Sequence, residues 1–215
     1  MRHGSVSYVD PDGRPVRPDD VPLNEEGREQ AAAAAEVLED VIFDRVVSSG
    51  LPRSVETARI IAPQRKVEEW PELREIEGGR LADIPPDELE EVFLHAFRGV
   101  VPNEATFLRG ESVDELWNRV LPALERLLAD EWDTALAVLH GGVNRAILSW
   151  ALTGERIYLG GFEQAPGCIN LIDIGDDRIV RAVNVAPGDL LHAASRLTTM
   201  EHYWEDLRPY RERSL

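Results

Sequence analysis

The sequence predicts an α/β protein with three layers, α/β/α, built on a mostly parallel central sheet. Three observations carry that prediction. Candidate strands alternate with candidate helices along the chain, the pattern of crossover connections. The apolar run "TALAVLH" passes at once into "GGVNRAILSWAL", a buried strand feeding a helix. No internal repeat, low-complexity block or long linker divides the 215 residues, so a single domain over 1–215 is expected.

After the opening "MRHG", the stretch "SYVDPDGRPVRPDDVP" is rich in Pro, Asp and Gly and reads as a surface loop. "NEEGREQAAAAAEVLEDV" reads as a helix with Asn24 as N-cap and acids in its first turn. "FDRVVSSG" is a short strand. "PRSVETARIIA" is a helix with Pro52 in its first turn and a stripe of Val55, Ala58, Ile61 and Ala62. "RKVEEW" reads as another short strand and "PELREIEGGRLADIPP" as irregular. Two amphipathic helices follow, "DELEEVFLHAF" and "SVDELWNRVLPALERLLAD", the second opened by a Ser112/Glu115 capping box. "CINLIDIG" and "RIVRAVNV" form a hairpin turning at "DD".

Composition narrows the partners. The chain is 43% hydrophobic and 29% charged, with a formal net charge of −17. No basic stripe is present to neutralise a nucleic-acid backbone, and no apolar run reaches membrane-spanning length. Neither nucleic acid nor membrane is therefore expected as a partner. Lys66 is the lone Lys, so the basic set is almost entirely Arg. Cys168, the single cysteine, excludes an internal disulfide and fits a reducing cytoplasm. An acidic chain repels anionic ligands at long range. A phosphorylated ligand would need a few Arg residues concentrated in one pocket.

Three stretches can supply that pocket. His140 ends an apolar strand at a Gly-Gly turn, where a helix N-terminus follows and favours an anion. A histidine that merely caps a strand is the plainer reading. Arg53 lies in the first turn of a helix, where positive charge opposes the dipole. Taken alone it reads as a surface salt bridge to Glu56. Arg2-His3-Gly4 is the third piece, weak by itself because short motifs recur by chance.

Taken in order, "RHG", "PLNEEGREQA", "SSGLPRSVETA", "LREIEGG", "GES" and "VLHGGVNRAIL" resemble the histidine phosphatase superfamily, the phosphoglycerate-mutase-like group (branch 1). The resemblance runs from residue 2 to about residue 152, and "INLIDIG...RIVRAVNV" is similar to the family's closing strands. It implies a phosphoglycerate-mutase-like fold and a phosphohistidine intermediate. His3 would be the nucleophile, and Arg2, Arg53, His140 and Gly141 would hold the phosphoryl group. Glu75 would be the proton donor, with Glu77 two residues on as the fallback. His140 would be cationic once phosphate binds. No cofactor is implied. His95, His192 and His202 show no metal-ligand spacing, and His95 is expected on a helix surface.

Some features depart from the family. Its members carry an apolar strand before RHG, so the first strand is expected to be missing or truncated, the sequence as given beginning inside it. Completion of the sheet by another route is the alternative. The segment from Pro85 to Arg109 (85–110) is expected to cover the site. There Phe93, Leu94, Phe97 and Phe107 either line a pocket or belong to the core, and Arg98 and Arg109 are available to a second anionic group on the substrate. The expected activity is a metal-independent phosphomonoesterase acting on a small phosphorylated metabolite. A cofactor-dependent mutase is disfavoured, since Lys66 alone cannot supply the Lys-rich substrate segments of those enzymes. A non-catalytic phosphate-binding module is the third reading. A homodimer is a family-level expectation only.

Overall fold

Alternation along two short strands divides the apolar core between the two faces of one sheet. The computed structural model describes residues 1–10, 14, 16–190 and 197–214, the last seven without their side chains. Its first elements are α1 (Glu25–Val37), β1 (Arg45–Ser48), α2 (Pro52–Ile61) and β2 (Glu68–Glu69). Then come α3 (Leu89–Leu94), β3 (Val100–Val101), α4 (Val113–Leu128), β4 (Ala135–Val138) and α5 (Gly141–Thr153). β5 (Tyr158–Leu159), β6 (Ile169–Ile174), β7 (Arg178–Val185) and α6 (Thr199–Ser214) follow.

The central sheet runs β2-β1-β4, every pair parallel. Val46 on β1 joins Leu136 and Val138 of β4 in packing against Ala34 of α1 and Ala58 and Ile61 of α2. Val47, one residue on, turns to the other face. It packs with Leu139 against Leu116, Trp117 and Val120 of α4 and Val143 and Ala146 of α5. That period-two switch makes the expected three layers. Each large side chain fully buried this way contributes roughly 1.5–3 kcal/mol.

The caps fall where the sequence puts them. Asn24 Oδ1 accepts from the Gly27 amide at 2.8 Å. Ser112 and Glu115 exchange both bonds of the capping box. α5 stops at Gly154, whose φ of 75° suits glycine.

Residues 1–3 form no named strand but run beside the end of β4, with a single parallel bridge between Arg2 and Leu139. Leu139 N donates to Met1 O at 2.9 Å and His3 N to Leu139 O at 3.0 Å, while Arg2 N reaches Cys168 O at 3.0 Å on the far side. The backbone that delivers His3 is thus paired on both edges, with β4 and with the chain entering β6.

Some elements escape the sequence pattern. β3 and β5 pair antiparallel over two residues each, too short for any periodicity to show. The helix expected over "DELEEVFLHAF" covers only Leu89–Leu94. His95 is its C-cap, with a side chain only 24% exposed and paired to Arg98, rather than a residue on an open helix surface. His192 lies outside the described residues. Among the described residues, no helix is long and apolar enough to cross a membrane.

Candidate active site

Two glycines let the nucleophile turn form. Gly4 lies against Gly27 of α1 so closely that a Cβ on Gly4 would overlap the Gly27 backbone, and one on Gly27 the Ser5 backbone. Asn24 N donates to Ser5 O at 3.1 Å, and Gln30 Oε1 accepts from Ser5 N at 2.8 Å. The "RHG" and "NEEGREQ" stretches are therefore two sides of one contact, and the chain leaving His3 has a single path.

His3 is buried, and its Nδ1 lies 2.7 Å from the Gly4 carbonyl. A carbonyl can only accept, so Nδ1 carries the proton and Nε2 the lone pair. Arg53 Nε donates to that Nε2 at 3.3 Å. Burial, then the charges of Arg53 and Arg2, hold the imidazole neutral, well below its ordinary pKa.

His140 lies edge-on to His3, with ring centroids 5.0 Å apart. Its state follows from a proton count through three serines. Ser54 Oγ donates to the Leu51 carbonyl at 2.9 Å, so it must accept from Ser48 and from Ser49. Ser49 Oγ, its proton spent on Ser54, accepts from the Leu51 amide and from His140 Nε2 at 2.7 Å. Nε2 therefore bears the proton, and Nδ1 is a buried lone pair without a hydrogen-bond partner. Burial, then His3, Arg53 and Arg2, keep this imidazole neutral as well. The cationic state expected of His140 thus needs an anion to arrive.

The two arginines differ in what holds them. Arg2 Nη1 donates to Thr199 Oγ1 at 2.9 Å and to the Gln164 carbonyl, and Nη2 reaches Tyr203 OH at 3.1 Å. Its Nε is buried with no partner. Arg53 is buried at 2% exposure, and Nη1 donates to Pro18 O at 2.6 Å. The surface bridge to Glu56 does not form; Glu56 pairs instead with Arg28 at 2.7 Å.

Glu75 receives the Gly142 amide at 3.0 and 3.1 Å, at the N-terminus of α5. A Cβ on Gly142 would collide with that carboxylate, which explains the second glycine of "HGG". The loop bearing Glu75 is clamped by Arg119 of α4. Its guanidinium donates to the carbonyls of Glu72, Arg74 and Glu75 while pairing with Glu111 at 2.6 Å. Glu111 also accepts from Glu77 N at 2.9 Å. The sequence reading missed this clamp and the serine relay, although "GES" and "SSG" both stood among the quoted motifs.

Arg2, His3, Arg53, Glu75 and Gly141 line one cavity of about 1370 Å³. Glu77 lines it too, while buried His140 sits behind that lining. From the expected cover, Phe93, Phe107 and Leu108 reach the cavity wall; Phe97 packs into the core beside Tyr158. Leu94 is partly buried in the small cluster between α3 and α6. Arg98 and Arg109 are not brought to the site. Arg98 pairs with His95, and Arg109 is drawn outward to Glu88 and the Asp83 carbonyl. Among the described residues no cluster of His, Cys, Asp or Glu could hold a metal ion.

The sequence model described as histidine phosphatase superfamily (branch 1) matches residues 1–185. Phosphoserine phosphatase 1 of Hydrogenobacter thermophilus is 31% identical over 158 residues, 72% of this chain and 74% of that one. A probable 2-carboxy-D-arabinitol-1-phosphatase of Arabidopsis thaliana is 30% identical over 80% of this chain, which spans only 37% of the plant protein's length. Among solved structures, the α-ribazole phosphatase of Shigella flexneri superposes with a TM-score of 0.68 at 26% identity, over 86% of this chain and 94% of that one.

Proposed function

The chain belongs to the histidine phosphatase superfamily (branch 1), and from that premise we propose that it is a phosphomonoesterase working through a phosphohistidine on His3. One observation carries the reading. The His3 tautomer is fixed by the Gly4 carbonyl, so an Nε2 lone pair stands beside Arg53 in a cavity that Arg2 and Glu75 share. Relatives named as phosphatases support the reaction class.

In the first step, Nε2 attacks phosphorus and the bond to the substrate's bridging oxygen breaks. Glu75 gives its proton to that leaving oxygen. In the second step, Glu75 takes a proton from water, the resulting hydroxide oxygen bonds to phosphorus, and the P–N bond breaks to release inorganic phosphate. Arg2 and Arg53 neutralise the equatorial oxygens. The arriving dianion raises the proton affinity of His140, whose free Nδ1 takes up a proton from solvent as the ester enters and then donates a hydrogen bond to the phosphoryl group. No metal enters either step.

The test is release of phosphate from an aryl phosphate and from a panel of metabolite monoesters, with and without chelator, comparing wild type with His3→Ala. Turnover that resists chelator and vanishes in the variant supports the proposal. An acid-labile, alkali-stable phosphoryl group trapped on the wild type identifies the intermediate. Transfer of phosphate between two hydroxyls of 3-phosphoglycerate would replace it with a mutase. Phosphate binding without turnover would replace it with a binding module.

A further inference from the structure

The cavity is larger than phosphate chemistry requires. At about 1370 Å³ it exceeds the 300–1,000 Å³ or so typical of small-molecule pockets. Leading away from the phosphate end, its wall is apolar: Ile84 just before the cover, Leu89, Phe93 and Phe107 within it, and Met200 and Leu207 of α6 all face it. Tyr203 joins the two halves, its ring stacked edge-on against Tyr8 at 5.0 Å and its hydroxyl on Arg2.

The charges along that wall disfavour a second anion. Arg119 is consumed by Glu111 and three backbone carbonyls. Arg145 is held by the Phe162 carbonyl and by Glu163. Arg17, Arg74 and Arg80 line the cavity but are exposed, so solvent screens them. Asp19, Glu77 and Asp206 add negative charge to the same lining. A carboxylate on the leaving alcohol would have to leave water for an apolar wall where, among the described residues, no unengaged buried cation meets it, a costly transfer.

From this geometry we infer that the physiological substrate is a monophosphate ester of a bulky, uncharged and largely apolar alcohol, whose body lies between α3 and α6. The inference rests on the phosphatase reading and names the substrate class of that same site. It narrows the small phosphorylated metabolite expected of the sequence to an ester whose alcohol is bulky and apolar.

Two measurements test it on the intact protein. The first is calorimetric binding of two non-hydrolysable phosphonates, 3-phenylpropylphosphonate and 3-phosphonopropionate. The second is kcat/KM for 1-naphthyl phosphate against 3-phosphoglycerate and phosphoserine. Burial of one aryl group predicts at least a tenfold or so preference for the apolar member in both. Equal or tighter binding of the carboxylated phosphonate overturns the inference, as does faster turnover of the carboxylated esters. If neither phosphonate binds, it also falls. If the binding order holds while no ester is hydrolysed, the phosphatase reading fails and the ligand preference stands.

Discussion

The two ends of the cavity are built by different forces. At the phosphate end three functional groups are fixed by hydrogen bonds from the main scaffold: His3 by Gly4 and Arg53, Glu75 by Gly142, and His140 by Ser49, while Arg2 alone leans on α6 through Thr199 and Tyr203. The far end is held by side-chain packing, with Phe93 of α3 against Trp204 of α6, ring centroids 5.6 Å apart. Directional bonds fix atoms to within tenths of an ångström, whereas a six-residue helix over an apolar arm can shift to suit what it covers. On the proposed function, the phosphoryl chemistry would be fixed and the recognition of the alcohol adjustable. Substitutions at the first end should strike kcat, and those at the second KM.

Glu75→Gln should show the largest effect of this kind. It can keep one of the two contacts from the Gly142 amide, through its remaining carbonyl oxygen, but removes the transferable proton. For alkyl phosphates a loss of roughly 10³-fold in kcat is expected, within the usual range of general acid catalysis. For p-nitrophenyl phosphate, whose leaving group needs little help, the first step should be nearly unchanged in a burst measurement. The same variant decides between Glu75 and Glu77: an unchanged alkyl ester rate would move the acid to Glu77.

The next effect is on stability. Both site histidines have pKa values driven below the ordinary value, chiefly by burial, then by Arg53 and Arg2 for His3 and by His3 and Arg53 for His140. The unfolded chain therefore binds more protons than the folded one below about pH 6.5, and stability rises with pH through that window. Each histidine contributes roughly 1.4 kcal/mol per pH unit to the slope once the unfolded form is protonated. Urea unfolding between pH 7 and 5 should show the slope, and His3→Gln should remove about half of it. A flat profile would mean that the pair is not buried neutral in solution.

These two ends were also unequally legible in the sequence. The phosphate end lay in contiguous motifs: a strand ending in His140 before two glycines, Arg53 in a helix's first turn, and Arg2-His3-Gly4. Each taken alone read as a strand cap, a surface ion pair or a chance tripeptide; only their order along the chain, through the resemblance, gave them roles. Glu75 was legible only through the resemblance, because Arg119 holds it from α4, 44 residues away in sequence. Arg98 and Arg109 failed for the converse reason. Both lie in the segment expected to cover the site, but a segment's position does not say which way an exposed side chain turns. β3 and β5 are set by their pairing and not by pattern, and α6 reaches the cavity only through tertiary packing. The apolar wall is assembled from α3, the 107–108 turn and α6, and no stretch of sequence contains it.

Ser49→Ala probes the phosphate end more gently. It leaves His140 Nε2 without its acceptor and frees the ring to exchange tautomers. Outer partners of this type typically carry about tenfold or more. A roughly tenfold fall in kcat with KM nearly unchanged is therefore expected, together with a displaced acidic limb of the pH profile. Ser49→Thr, which restores the hydroxyl, should recover most of the activity. A purely structural role would lower the melting temperature in the alanine variant without moving that limb.

Trp204→Ala should give the smallest catalytic change and the sharpest division between the ends. Trp204 is buried against Phe93 but does not itself line the cavity, so its loss loosens α6 over α3 without removing a contact to the ester. Losing about 1 kcal/mol of packing on a bulky alcohol would raise KM for 1-naphthyl phosphate roughly fivefold. Inhibition by inorganic phosphate, which reports on Arg2, Arg53, His3 and His140, should stay within about twofold because all but Arg2 are held by the scaffold. If phosphate inhibition weakened in step with KM, the Thr199 and Tyr203 bonds to Arg2 would be transmitting the disturbance. The two ends would then be one mechanical unit, joined through α6, and the division between fixed chemistry and adjustable recognition would fail at that helix.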